Sequence, residues 1–441
     1  MPKFPRRQRK RRARLSPYFI KRLSSWLVLS TAFTAGVATL TRAATLYWDA
    51  TPASGVGATD GSGAWSAGAA TFYNPLTGLD VAAGSGDTAV FGSGGVLSTG
   101  STVNVTGAQN VGGLVFGATG LDGYTTNGYT LSSTSAVALT IGTGGVTMNA
   151  GAQSAILGNS ADLTVTLGGA QTWTNNSSSS LTVAGNITNG ANALALSSGA
   201  NSAGNINITG NIVGGSGTVT VNSSGVGIVT LSGTDTETGV TTLTAGILRA
   251  TSAGALGAGT LTLTSGTLQL VGGLAFNNNT TVGGTVTIQS DNAFTDLPAA
   301  VDTLGTLNLG AFTLTVTAGE FVASSGTGVT FGATTLTGAG TINTNNSLFG
   351  PNPFSSPSTA GTALGVTTAL YTLTGAEPVV IGGAGNTTIG NTTTNTGLLP
   401  SAGSAPWREG FSRSCRKNSC ARSRAASSEN ASWPINAATG P

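Results

Sequence analysis

Asp235 and Glu237 stand two residues apart in a chain with few ionisable groups, and Asp291, Asp296 and Asp302 form a second, looser acidic set. Paired carboxylates separated by roughly 5–10 Å are the apparatus of glycoside hydrolysis. Residues two apart share a face when they lie in a strand, but the Gly, Ser and Thr around Asp235 and Glu237 read as a turn. A β-eliminating lyase acting on uronates needs a cation to stabilise the developing enolate. Arg249 is the only basic residue between Ala43 and Trp407. The chain has no His, which excludes His-based triads and His-ligated zinc. Its two cysteines, Cys415 and Cys420, both lie close to the C-terminus. The Gly-Gly-x-Gly-x-Asp calcium pattern is missing, since Gly214-Gly215-Ser216-Gly217 has no acid after it. Thr-x-Thr strands raise an ice-binding reading, which their irregular spacing along the chain opposes. No catalytic, cofactor-binding or metal-ligating residue is therefore assigned, and the expectation is a protein that is not an enzyme.

The elements that would carry these groups are short β-strands. Gly accounts for 68 of 441 residues, aromatic residues for 6% and charged residues for 7%, against roughly 25% charged in ordinary soluble domains. Large side chains are too few for one thick core, while Leu, Val and Ile suffice for a thin one. Thr260-Leu261-Thr262-Leu263-Thr264, a Ser265-Gly266 corner and Thr267-Leu268-Gln269-Leu270 show the pattern. Alternation sends the four leucines inward and the threonines toward water. No segment beyond the N-terminus sustains a helical period.

The charges are sorted along the chain. Ten of the 18 basic residues fall in the first 22 positions and six between Arg408 and Arg424, whereas 13 of the 15 acidic residues lie between Ala43 and Trp407. The sparsely acidic body excludes nucleic acid as a partner. The basic start leads into an apolar run, Trp26 to Leu40, and then Thr41-Arg42-Ala43-Ala44. This is the layout of a secretory signal, with cleavage after Ala43 or, as second choice, after Ala44. Fifteen apolar residues fall short of the roughly 20 a spanning helix needs, so no stable membrane span is expected after cleavage.

Leu181-Thr182-Val183-Ala184-Gly185-Asn186-Ile187 and Ile206-Asn207-Ile208-Thr209-Gly210-Asn211-Ile212 repeat at an offset of 25 residues, a period that marks a solenoid. Trp48, Trp65, Phe72, Tyr73 and Phe91 gather near one end, where they would close the open edge of the stack; a carbohydrate-stacking patch is the alternative. The stretch from Gly227 to Ala250, with Gly254-Ala255-Leu256-Gly257-Ala258-Gly259-Thr260-Leu261 after it, resembles the autotransporter-associated β-strand repeat of bacterial surface proteins. Where that family has Asn-Thr-Tyr-Thr-Gly, this chain has Asp235-Thr236-Glu237-Thr238-Gly239. Leu46-Tyr47-Trp48-Asp49, Gly63-Ala64-Trp65 and Asp87-Thr88-Ala89-Val90-Phe91-Gly92 resemble the start of such passengers. The resemblance implies a right-handed parallel β-helix outside the cell or at the outer membrane, structural or adhesive in role. It supplies no catalytic residues, and no stretch here reads as the membrane barrel with which autotransporters end.

The expected organisation is therefore an all-β, elongated right-handed parallel β-helix preceded by a cleaved signal. Its parts are a signal at 1–43, an N-terminal β region with an aromatic cap at 44–135 and solenoid repeats at 136–400. The basic, Cys-containing 401–441 reads as a disordered or out-of-frame tail. The expected partners are surface glycans or other cells. The alternatives are a glycan-binding or glycan-degrading β-helix protein, or a truncated gene fragment.

Overall fold

A computed structural model describes residues 43–345, except 53–56, 93–99, 118–127, 159–161, 201, 294–300, 320–327 and 339. Beyond these it describes the backbone of strands Gly365–Leu373, Val379–Gly383, Asn386–Ile389 and Leu398–Pro400. The expected signal segment up to Arg42, Asp296 and the tail with Cys415 and Cys420 lie outside the described residues.

Every described element is a β-strand, and the strands form two long sheets of 20 and 14 members. Successive layers of chain contribute to both sheets in turn, and each strand pairs in parallel with its counterpart in the next layer. The 25-residue offset read from the sequence is one such step: Leu181 pairs with Ile206 and Val183 with Ile208 in the smaller sheet, and Ile187 with Ile212 in the larger. The step is not constant. Ile206 pairs with Val229, Val229 with Leu248, Leu248 with Leu268, Leu268 with Ile288 and Ile288 with Val316. The corners absorb most of the differences in length, and the strands hold their register, since a slip of one residue would turn every apolar side chain outward, except where the pairing shifts after Val221 and between Val111 and Gly113.

The alternation has the predicted sense. Leu261, Leu263, Leu268 and Leu270 are fully buried, whereas Thr262 is half-buried and Thr264 exposed. Rows of Leu, Val and Ile run through the interior from layer to layer, and each such side chain contributes about 1.5–3 kcal/mol by leaving water. Layers meet closely at the corners. Gly217, Gly239 and Gly259 form a column there, and a Cβ on Gly259 would overlap the carbonyl of Gly239, just as one on Gly239 would overlap that of Gly217.

At the N-terminal end the larger sheet changes character. Strand β1 (Thr45–Trp48) pairs in parallel with β5 (Thr88–Phe91), but antiparallel with β3 (Phe72–Asn74), which forms a hairpin with β4 (Leu79–Val81). Strand β2 (Gly63–Ser66) belongs to the smaller sheet. Trp48, Trp65, Phe72 and Phe91 are all buried inside this end, so these four rings are not a platform for sugars. Phe91 is the hub: its ring centroid lies 5.9 Å from those of Trp48, Trp65 and Phe72, 5.7 Å from Phe116 and 5.6 Å from Tyr129. Phe91→Ala should cost about 3–5 kcal/mol. Red-shifted emission from Trp48 and Trp65 and a lowered urea midpoint would check this; an unchanged midpoint would mean that the ring cluster adds little to stability.

Candidate functional site

The segment between strands Ile228–Leu231 and Thr241–Ala245 is not itself a strand, yet its side chains alternate as in one. Thr234, Thr236 and Thr238 are exposed, and Asp235 and Glu237 are 5% and 1% exposed. The neighbouring layers hold the backbone in place. Thr236 N–H donates to the Ile212 carbonyl at 2.9 Å, Asp235 N–H to Gly254 at 3.1 Å, and Ala258 N–H to the Glu237 carbonyl at 2.8 Å. The turn expected from the sequence is thus an extended corner with both carboxyls facing inward.

Only one oxygen of the pair is satisfied. Ile212 N–H donates to Asp235 Oδ1 at 2.7 Å, while Asp235 Oδ2 and both Glu237 oxygens have no partner among the described residues. Burial pushes the Asp235 carboxyl up to about 7; burial first, and then the Asp235 charge, pushes Glu237 up to about 8. Other corners place amides at inward positions. Asn175 Nδ2 donates to the carbonyls of Ser179 and Asn205 at 2.8 and 3.0 Å, and Asn278 Nδ2 to those of Gly257 and Gly259 at 2.9 and 2.8 Å. An ionised carboxylate can only accept, so it cannot replace an amide in such ties.

Asp302 lies three layers further along the larger sheet, through the pairings of Thr241 with Leu261, Leu261 with Thr280 and Thr280 with Leu307. Three layers are roughly 14 Å, so the two acidic sets do not form one constellation. Asp302 is fully buried, accepts from Ser290 Oγ at 2.7 Å and Leu274 N–H at 2.8 Å, and is raised chiefly by burial. Asp291 is also buried and accepts from Asn292 N–H at 2.8 Å. Arg249 stands half-buried in the smaller sheet between Thr230 and Gln269.

A surface depression of about 450 Å³ opens beside the acidic corner, lined among others by Thr238, Gly257, Phe276 and Asn278. Among the described residues, no cluster of three or more His, Cys, Asp or Glu is placed to hold a metal, and no helix is long and apolar enough to cross a membrane. The register also shows what irregular sequence spacing conceals. Thr220, Thr242, Thr262 and Thr281 fall in one outward column on adjacent strands of the larger sheet. Of the two expected processing positions, Ala43 is exposed, and Ala44 is half-buried with its N–H donating to Asp87 Oδ1 at 2.9 Å.

These features define a repetitive all-β stack with an apolar interior and a weakly charged, hydroxyl-rich exterior. Comparison with protein families, with curated proteins and with solved structures finds no match to the chain.

Proposed function

We propose that this chain is an exported, non-catalytic structural or adhesive protein of a bacterial surface, similar to an autotransporter passenger, and that its two sheets are walls of a right-handed parallel β-helix. The observation that carries this reading is the in-register parallel pairing of layer on layer, with apolar rows inside and Thr, Ser and Asn rows outside. Such an exterior makes many weak polar contacts and suits recognition of surface glycans or neighbouring cells. The resemblance of the stretch from Gly227 to Ala250 to the autotransporter-associated repeat supports the handedness and the location.

The only inward carboxyl pair two residues apart is Asp235 and Glu237, and burial withholds it from a polymeric substrate. The test is expression of the full chain, with its own leader, in a secreting bacterium. Protease applied to whole cells should remove it from the surface, and purified chain should bind glycan-coated surfaces without releasing reducing sugar. Retention in the cytoplasm would overturn the export reading. Sugar release that is lost in Asp235→Ala would overturn the non-catalytic one.

A further inference from the structure

Both polar backbone groups of Ala44 are engaged. Its N–H donates to Asp87 Oδ1 at 2.9 Å, and its carbonyl accepts from Thr88 N–H at 2.8 Å. The second oxygen of Asp87, Oδ2, accepts from Gly84 N–H at 2.9 Å. Thr45 then enters β1 beside Thr88 of β5, and the Ala44 side chain packs against the core cluster. Among the described residues, the charges around this point are all of one sign. Asp49, Asp60, Asp80 and Asp87 are the charged side chains among the described residues up to 135, and no Lys or Arg occurs from Ala43 until Arg249.

We propose that Ala44 is the first residue of the mature chain and that its free α-ammonium forms an ion pair with Asp87. This rests on the reading of 1–43 as a cleaved export signal. A cut after Ala43 places the small residues Thr41 and Ala43 at the cleavage subsites. A cut one residue later would place Arg42 there and would discard the bonds to Asp87 and Thr88. The step is a hydrolysis carried out by a membrane-bound signal peptidase. Water oxygen bonds to the Ala43 carbonyl carbon, the carbon–nitrogen bond breaks, Ala43 departs as a carboxylate, and the Ala44 nitrogen takes up protons to become an ammonium.

The nitrogen that donates to Asp87 is the same before and after the cut, but a neutral donor becomes a charged one. Charge-assisted hydrogen bonds are roughly twice as strong as neutral ones, reduced here by the partial exposure of Asp87. The ammonium would be the only cation in a region of four described carboxylates. Of these, Asp87 bonds it directly, and Asp80 lies two strands away, opposite Tyr73, which itself faces Tyr47 of β1. Processing would thereby tighten the first strand of the stack as well as release it from the leader.

The test compares two forms of the chain from Ala44 to Pro441, one with Ala44 free and one carrying a four-residue Gly-Ser extension, each with and without Asp87→Asn. Folding raises the proton affinity of the Ala44 amine, so the added stability is present below the ordinary amine range and is lost as pH rises through the folded value. At about pH 7, Asp87→Asn should lower the Tm of the free form by about 2 °C more than that of the extended form, and at about pH 10 the difference should vanish. Equal losses in both forms at both pH values would overturn the ion pair. Intact mass of the chain exported by a secreting bacterium should begin at Ala44. A start at Thr45 or beyond would overturn the assignment, and an exported but uncleaved chain would overturn both the reading of 1–43 as a cleaved signal and the assignment of Ala44 as the first residue.

Discussion

The chain should unfold at a markedly lower temperature at pH 8 than at pH 4, and the Asp235–Glu237 corner should account for most of the difference. Both carboxyls titrate higher in the folded protein, at about 7 and about 8, than the ordinary carboxylate range. The folded state therefore keeps their protons when the unfolded state has already released them. Stability from the pair is complete below about pH 4 and is lost as pH rises through 7 and 8. The shift at Asp235 alone corresponds to on the order of 4 kcal/mol. No described cation faces the pair. The layer before it, from Ile206 to Asn222, and the one after it, from Gly254 to Thr264, contain no charged residue, and Arg249 belongs to the other sheet. Asp235→Asn with Glu237→Gln should match the parent chain at pH 4, exceed it at pH 8 and flatten the profile between. Thermal unfolding by circular dichroism across this range decides the matter, and a double variant with the parent's slope would place the titration elsewhere.

Gly259→Val should be strongly destabilising. The new Cβ would overlap the carbonyl of Gly239 in the layer beneath. That backbone cannot yield freely, because Val219 N–H donates to Val240 at 3.1 Å and Thr241 N–H to Thr260 at 3.0 Å on either side of it. The Gly259 carbonyl is itself an acceptor for Asn278 Nδ2. Overpacking of this kind costs about 3 kcal/mol. The neighbouring Thr260→Val, at an exposed side chain, should stay within about 0.5 kcal/mol. Urea midpoints of the two variants, read together, separate the corner's steric demand from a general effect of valine. In a stack where each layer touches only its neighbours, amide exchange should rise first in strands Thr241–Ala245 and Leu261–Leu263 and last in strands remote from them, such as Leu163–Leu167.

The all-β architecture was legible because alternation and charge location are local properties. Leu261, Leu263, Leu268 and Leu270 announce their faces one strand at a time, and the seven-residue repeat at 181 and 206 marks one true step of the ladder. The acidic corner was only half legible. It is not a strand, as a turn would not be, but its side chains keep strand alternation because backbone hydrogen bonds to the neighbouring layers pin the chain in an extended form. Gly, Ser and Thr composition carries no trace of that tether. The Thr220, Thr242, Thr262 and Thr281 column was hidden for a related reason: corner lengths differ from layer to layer, so an even column in space is uneven along the chain. The antiparallel hairpin from Phe72 to Val81 has a turn signal of its own, Asn74-Pro75 followed by Gly78, but a turn in a chain rich in turns does not say whether the strands it joins pair with each other.

The unequal corners have a consequence for reach. Because length varies mainly where the chain bends, a layer can be gained or lost with little disturbance to the register of those on either side. Fourteen parallel strands at a spacing of about 4.8 Å span roughly 60 Å. Duplication of a single layer would extend this distance by one fixed increment and leave the surface chemistry unaltered. The protein is in that respect a ruler, its length set by the number of its layers.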